Sequence, residues 1–144
     1  MTQHRSTLWL QTTIAALIVA AIVAGAFSLS SSKVDKPQLR IALSQIASDA
    51  QKAAMTIDLS SKQTDTFYRE HLDALREDVS SLQDKLEKGK RSRHQQIDLS
   101  PAIAITQSVT TELHSALMNR GDSDAAKRLR DLADDAWRAQ AALK

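Results

Sequence analysis

Cysteine is absent from these 144 residues. Disulfides, thiolate nucleophiles and cysteine-ligated metals are therefore excluded, and the chain places no constraint on the redox state of its compartment. Glycine is nearly as scarce. Three residues are too few for a loop whose bare backbone cradles a phosphate. Aromatic residues make up 3% of the chain, and beyond residue 32 they are Phe67, Tyr68 and Trp137. The apolar stock there is otherwise mostly Ala, Leu, Ile and Val, which suits slender helices better than a thick globular core. Charge of either sign is missing from residues 6–32. No repeat of solenoid length appears.

What is present divides the chain in two. Leu8 to Leu29 is almost entirely apolar, and 35 of the 36 Asp, Glu, Lys and Arg residues lie beyond residue 32. A helix of 22 residues covers roughly 33 Å, enough for a bilayer core of about 30 Å. Trp9 lies near one end of the run, where an indole favours the headgroup region. Gln11, Thr12 and Thr13 fall within about a turn of that end, where polar groups cost least. The segment is also long for the apolar part of a secretory signal, about 7–15 residues. A membrane anchor over 8–29 is therefore expected, behind a short tail at 1–7. The alternative is a secretory signal cleaved after Ala26, since Ala24-Gly25-Ala26 fits the small-residue pattern and Arg5 supplies a weak positive start. Ala16, Ala20 and Ala24, with Ala21 and Gly25 as a second pair, repeat at four-residue spacing. Small residues at this spacing let two membrane helices approach closely, so these five positions are the expected packing face of the anchor.

Beyond a Ser-rich linker at 30–36, the periodicity is helical to the end of the chain. Residues 33–144 carry 18 bases and 17 acids, which is not the balance of a nucleic-acid-binding protein. Leu39, Leu43, Ile46, Ala50, Ala53 and Ile57 follow alternating four- and three-residue steps, with Ile41 and Leu59 widening that face. Tyr68, Leu72, Leu75, Val79, Leu82 and Leu86 repeat the pattern in a register shifted by one. Either a turn separates two helices or one long helix passes through a local irregularity, and the polar SSKQTD favours a short break near 60–65. Gly89 is a plausible helix stop. Ser100-Pro101 reads as a cap followed by proline in the first turn, and Ser123 as a second cap. Ala102, Ile105, Val109, Leu113 and Leu117 form the face of one later helix. Ala126, Leu129, Leu132 or Ala133, Ala136, Ala139 and Leu143 form that of the last, with Trp137 at its edge. The expected fold is all-α: one transmembrane helix, then over 37–144 a three- or four-helix amphipathic bundle or an extended helical hairpin. The seam residues, Leu39, Leu43, Ile46, Ile57, Tyr68, Leu72, Leu75, Val79, Leu82, Leu86, Val109, Leu113, Leu129 and Trp137, are expected to pack helix on helix or against a partner.

No constellation for catalysis emerges. Among His71, His94 and His114 no two share the i, i+4 spacing of a helical metal site, and HExxH is absent. Asp131, Asp134 and Asp135 are interleaved with bases at 127, 130 and 138. Together with Asp84–Lys88, this is the pattern of solvated ion pairs rather than of a dry acid–base site. No nucleophile elbow occurs. Neither an enzyme, a cofactor nor a small-molecule substrate is expected. Lys88, Lys90, Arg91 and Arg93 make the most basic stretch, in a loop between helices. Lipid headgroups, acidic glycans or an acidic protein surface would suit it.

Leu72 to His94, with ALREDV followed by the basic KGKRSRH, resembles the inner-membrane spanins of phage lysis systems. The resemblance covers about a sixth of the chain. It implies a membrane segment followed by a helical ectodomain with coiled-coil character, and an outer-membrane partner. The cysteine that some spanins carry is missing, as is a recognisable partner-binding tail. A sensor ectodomain is disfavoured because no second span or output domain is visible. The leading expectation is a non-enzymatic, membrane-anchored accessory or scaffolding subunit of a larger cell-envelope complex. Its partners would be the membrane and larger protein subunits or a second copy of the chain, with no nucleic acid. The expected site is a bacterial-type inner membrane, crossed once, with the C-terminal domain exported to the periplasm. A spanin-like lysis protein, or a secreted helical bundle if the segment is cleaved, are the alternatives.

Overall fold

The computed structural model describes residues 33–144, so the anchor expected over 8–29 lies outside the described residues. Four helices follow in order: α1 (Lys36–Asp58), α2 (Asp65–Lys90), α3 (Ser100–Met118) and α4 (Ser123–Ala142). A single 3-10 turn, Ser60–Lys62, follows α1, and the described residues contain no strand. None of these helices is long and apolar enough to cross a membrane.

Each helix starts where local chemistry dictates. Asp35 caps α1 by accepting the Gln38 N–H at 3.0 Å, and the Gln38 side chain accepts the Asp35 N–H at 2.9 Å. This reciprocal capping box satisfies two amide donors that the helix leaves open, and Pro37 stands in the first turn, where a missing N–H costs nothing. Thr64 caps α2 through the Phe67 N–H. Neither expected serine cap forms. Leu99 precedes α3 with no side-chain cap, and the Ser100 N–H donates to the Asp98 carboxylate at 3.0 Å. Asp122, rather than Ser123, caps α4 by accepting from Asp124 and Ala125, its charge favouring the positive end of the helix. Gly89 is not a stop. It is buried inside the last turn of α2, which runs on to Lys90.

Short connections force successive helices antiparallel, and contacts between α4 and α1 close the ring. The result is an up-down-up-down four-helix bundle with α1 and α3 touching across one diagonal. The hairpin alternative is thereby excluded. All six residues of the α1 seam and all six of the α2 seam are buried. Ile41 and Leu59 do not widen the α1 face; they are 40% and 43% exposed. The most extensive contact is between α1 and α4. Ala47, Ala50 and Ala54 on one side and Ala125, Ala126, Ala133 and Ala136 on the other are buried there or beside it. Methyl-sized side chains allow two helix backbones to approach closely.

The faces of α3 and α4 differ in detail from expectation. On α3, Ala102, Thr106, Val109, Leu113 and Ala116 form the buried line, with Ile103 beside it. Ile105 and Leu117 are only half-buried. Thr106 reaches this position because its hydroxyl donates to the Ile103 carbonyl at 2.7 Å and so is not left unpaired in the core. On α4, Ala125, Ala126, Leu129, Ala133 and Ala136 are buried, while Leu132, Ala139 and Leu143 are half-buried. Trp137, expected at the edge of this face, is 39% exposed.

Candidate functional site

Three places in the bundle carry more than packing. The first is the tip formed by the α1–α2 and α3–α4 turns. Arg120 ties the two turns together. Its guanidinium donates to the carbonyls of Ser60 and Gln63, each at 2.6 Å, and pairs with Asp65 at 3.1 Å. It also stands over the Tyr68 ring, 5.2 Å from the centroid, within range of a cation–π interaction. The Tyr68 hydroxyl donates to the Ala116 carbonyl at 2.8 Å and accepts from the Gly121 N–H at 3.4 Å. Gly121 has φ +76°, and a Cβ there would lie 2.9 Å from the Ser60 hydroxyl oxygen. Glycine is required on both counts. Met55, Leu59, Phe67 and Met118 also belong to this end, all more than 40% exposed. Phe67 stacks on His71, with ring centroids 5.6 Å apart.

The second place is the buried carboxylate of Asp49, 1% exposed in α1. Burial raises its pKa to about 6, partly offset by the Gln45 amide, which donates to both oxygens at 3.1 and 3.2 Å, and by the charge of Lys52; Asp78 on α2 adds to the rise. His71 is held below its usual value by burial and by Lys52. Among the described residues no three His, Asp or Glu side chains come together in a way that would hold a metal ion.

The third place is the opposite end, where the chain enters the bundle. Gln95, in the α2–α3 loop, donates to the Val34 carbonyl and accepts the Val34 N–H, both at 2.9 Å. Arg40 donates to the Leu143 carbonyl, and Gln140 donates to the Ser44 hydroxyl and the Arg40 carbonyl. The start of α1, the basic loop and the end of α4 are therefore neighbours. Residues 33–40, 85–98 and 143–144 carry nine Lys or Arg and three Asp or Glu. At the tip, residues 55–69 and 114–128 carry five and four.

The two ends also differ in how charge is compensated. Near the tip, Arg69 pairs with Asp65, Arg128 with Glu112 and Asp122, and Arg130 with Asp58. At the other end Lys33, Lys36, Arg40, Lys88, Lys90, Arg91, Arg93 and Lys144 make no ion pair among the described residues. The three acids there have other work. Asp35 caps α1, Glu87 accepts from the Gln83 amide at 2.9 Å, and Asp98 accepts from Ser100. The Ser100 N–H and hydroxyl, and then the charge of Lys90, hold the Asp98 carboxyl below its usual range. Lys88, Lys90, Arg91 and Arg93 are all exposed.

The sequence singled out this basic loop but not its junction with Lys33 and Lys36, which only the antiparallel return of α2 creates. It missed Asp49. The signal was there in the seven-residue line Ala42, Asp49, Thr56, all three buried. The ion pairs expected along α4 are redirected: Arg130 reaches Asp58 on α1 and Arg138 reaches Asp135. The Leu72–His94 stretch that resembles spanins is most of α2 and the turn after it, packed as one corner of the bundle. The anchor face of Ala16, Ala20, Ala21, Ala24 and Gly25 lies outside the described residues. No family model, curated protein or solved structure matches this chain.

Proposed function

We propose that the chain is a non-enzymatic accessory subunit, held in a membrane by its 8–29 segment, that presents a self-contained helical bundle to a larger complex of the cell envelope. The proposal includes a bacterial-type inner membrane and an exported bundle. Its support from the bundle is the position of the exposed apolar side chains. Met118, Met55, Phe67 and Leu59 are 72%, 60%, 52% and 43% exposed, the four highest values among the large apolar residues described, and all lie at the tip formed by the α1–α2 and α3–α4 turns. The seams are buried within the chain itself, so a partner would meet the bundle at this tip. Apolar side chains grouped on a surface are a common mark of protein contact.

The test is purification of the full chain from its host in mild detergent, beside a Phe67→Glu/Met118→Glu variant. Larger subunits should accompany the wild type and be lost from the variant while its helicity is retained. A variant that keeps the same companions removes the tip from the reading. A wild type that purifies alone removes the accessory role.

The closed core favours one second reading. A bundle that buries its own seams needs no anchor to stay folded, which suits a secreted protein released by cleavage after Ala26. The intact mass of the host-made chain separates the two.

A further inference from the structure

We propose that the end of the bundle where the chain enters is a docking surface for anionic lipid headgroups. Eight exposed or part-exposed bases from three separate stretches meet there: Lys33, Lys36 and Arg40 at and just before the α1 start, Lys88 and Lys90 in the last turn of α2 (not in a loop, as the sequence suggested) with Arg91 and Arg93 just after it, and Lys144. None forms an ion pair among the described residues, although acids are plentiful elsewhere on the bundle. The acids nearby are committed to helix starts and a glutamine amide. Helix dipoles do not supply or cancel this field, since two helices begin and two end at this face. The side chains alone set its sign.

Continuity of the chain selects the occupant. The apolar run ends at Leu29, four residues before Lys33. Four residues span at most about 14 Å. If the run is embedded, this face is tethered within about two Debye lengths of the headgroups at physiological salt. A polybasic face so close to an anionic leaflet is drawn onto it. Phosphate and phosphatidylglycerol-type headgroups match lysine as a point charge and arginine as a fork. The inference rests on the anchor reading given above.

The absence of cysteine makes the test clean. Gln96→Cys, at the basic end, and Ser61→Cys, in the turn at the tip, are introduced separately into the full chain and labelled with one fluorophore. Both positions are exposed. The proteins are reconstituted in phosphatidylcholine vesicles carrying a headgroup-attached quencher, with and without phosphatidylglycerol. Quenching at position 96 should rise about threefold when roughly a third of the lipid is anionic, and should fall back at about 0.5 M salt. Quenching at position 61 should not change. Reversing Lys88, Lys90, Arg91 and Arg93 to Glu should abolish the rise at position 96, with circular dichroism confirming that the helices persist. If the chain floats with neutral vesicles but position 96 ignores anionic lipid, the docking surface is refuted while the anchor stands, and the bases belong to an acidic protein. A chain that fails to float with neutral vesicles refutes the anchor, and this inference falls with it.

Discussion

Replacing Asp49 by asparagine removes a charge from inside the bundle while keeping the size of the side chain and an acceptor for Gln45. Asp49 is 1% exposed, and its pKa rises from 3.8 to about 6, chiefly because burial penalises the charged form. The folded state therefore binds the proton more tightly than the unfolded state does. Below about pH 3 both states are largely protonated and the site is neutral to stability, and at pH 4 the loss is still only about 0.5 kcal/mol. As pH climbs from 4 through 6, the unfolded chain ionises readily while the folded one resists, so stability is lost. Each pKa unit corresponds to about 1.4 kcal/mol, which puts the full loss near 3 kcal/mol at pH 7 and about half of that at pH 5. Lys52, 4.0 Å away and part-exposed, offsets the rise only in part, and the value of about 6 already includes it. Asp49→Asn should thus nearly match the wild type near pH 4 and exceed it by about 2–3 kcal/mol at pH 7–8. Urea unfolding followed by circular dichroism, in one detergent for both proteins, measures the difference. Contributions from the hydrophobic segment and from the other carboxylates cancel in it. A difference that stays flat from pH 4 to pH 8, or a variant less stable at pH 8, would show that the carboxylate is well satisfied and refute the reasoning.

The tip yields two further tests. Tyr68→Phe deletes the donor to the Ala116 carbonyl and the acceptor for Gly121 while leaving the ring in place, and should cost about 1–2 kcal/mol of unfolding free energy; no measurable loss would mean that water replaces both bonds. Gly121→Ala places a methyl 2.9 Å from the Ser60 hydroxyl oxygen on a backbone at φ +76°, and should lower stability by about 1–2 kcal/mol, read from the urea midpoint.

The bundle was legible wherever large apolar residues stepped by four and three. The seams of α1 and α2 needed nothing more, because leucine, isoleucine, valine and tyrosine mark a face unambiguously. On the α3 face Ala102, Val109 and Leu113 were legible, but Thr106 was passed over for Ile105 because threonine, with its hydroxyl, does not read as a core residue. In a helix its hydroxyl can return its hydrogen bond to the preceding turn, as Thr106 does to Ile103. Counting it as apolar gives Ala102, Thr106, Val109, Leu113 and Ala116, a clean four-three line. The α4 face was blurred by its alanines, which tolerate burial and exposure alike. The basic loop was visible as composition, but its enlargement by Lys33, Lys36 and Lys144 is a tertiary fact. It depends on an odd number of helix reversals, one for the α2 end and three for the α4 end, bringing them back beside the α1 start. Asp49 was missed for a different reason: its place in the seven-residue line Ala42, Asp49, Thr56 marks a buried position, but a carboxylate is ordinarily counted out of a core because desolvating it is costly.

The pairing of Gln95 with Val34 sets how the bundle carries mechanical load. A single helix pulled from its own first turn peels, breaking one contact at a time. Here a pull on Lys33 meets two hydrogen bonds to a different loop before α1 begins. Just beyond them Arg40 and Ser44 are bonded to Leu143 and Gln140, at the far end of the sequence. A force applied at Lys33 is thus shared at once by the α2–α3 loop and by α4. The start of α1 cannot peel from the bundle without also breaking bonds to elements 61 and 103 residues away in sequence, so the chain entry is fastened to the fold as a whole rather than to one helix.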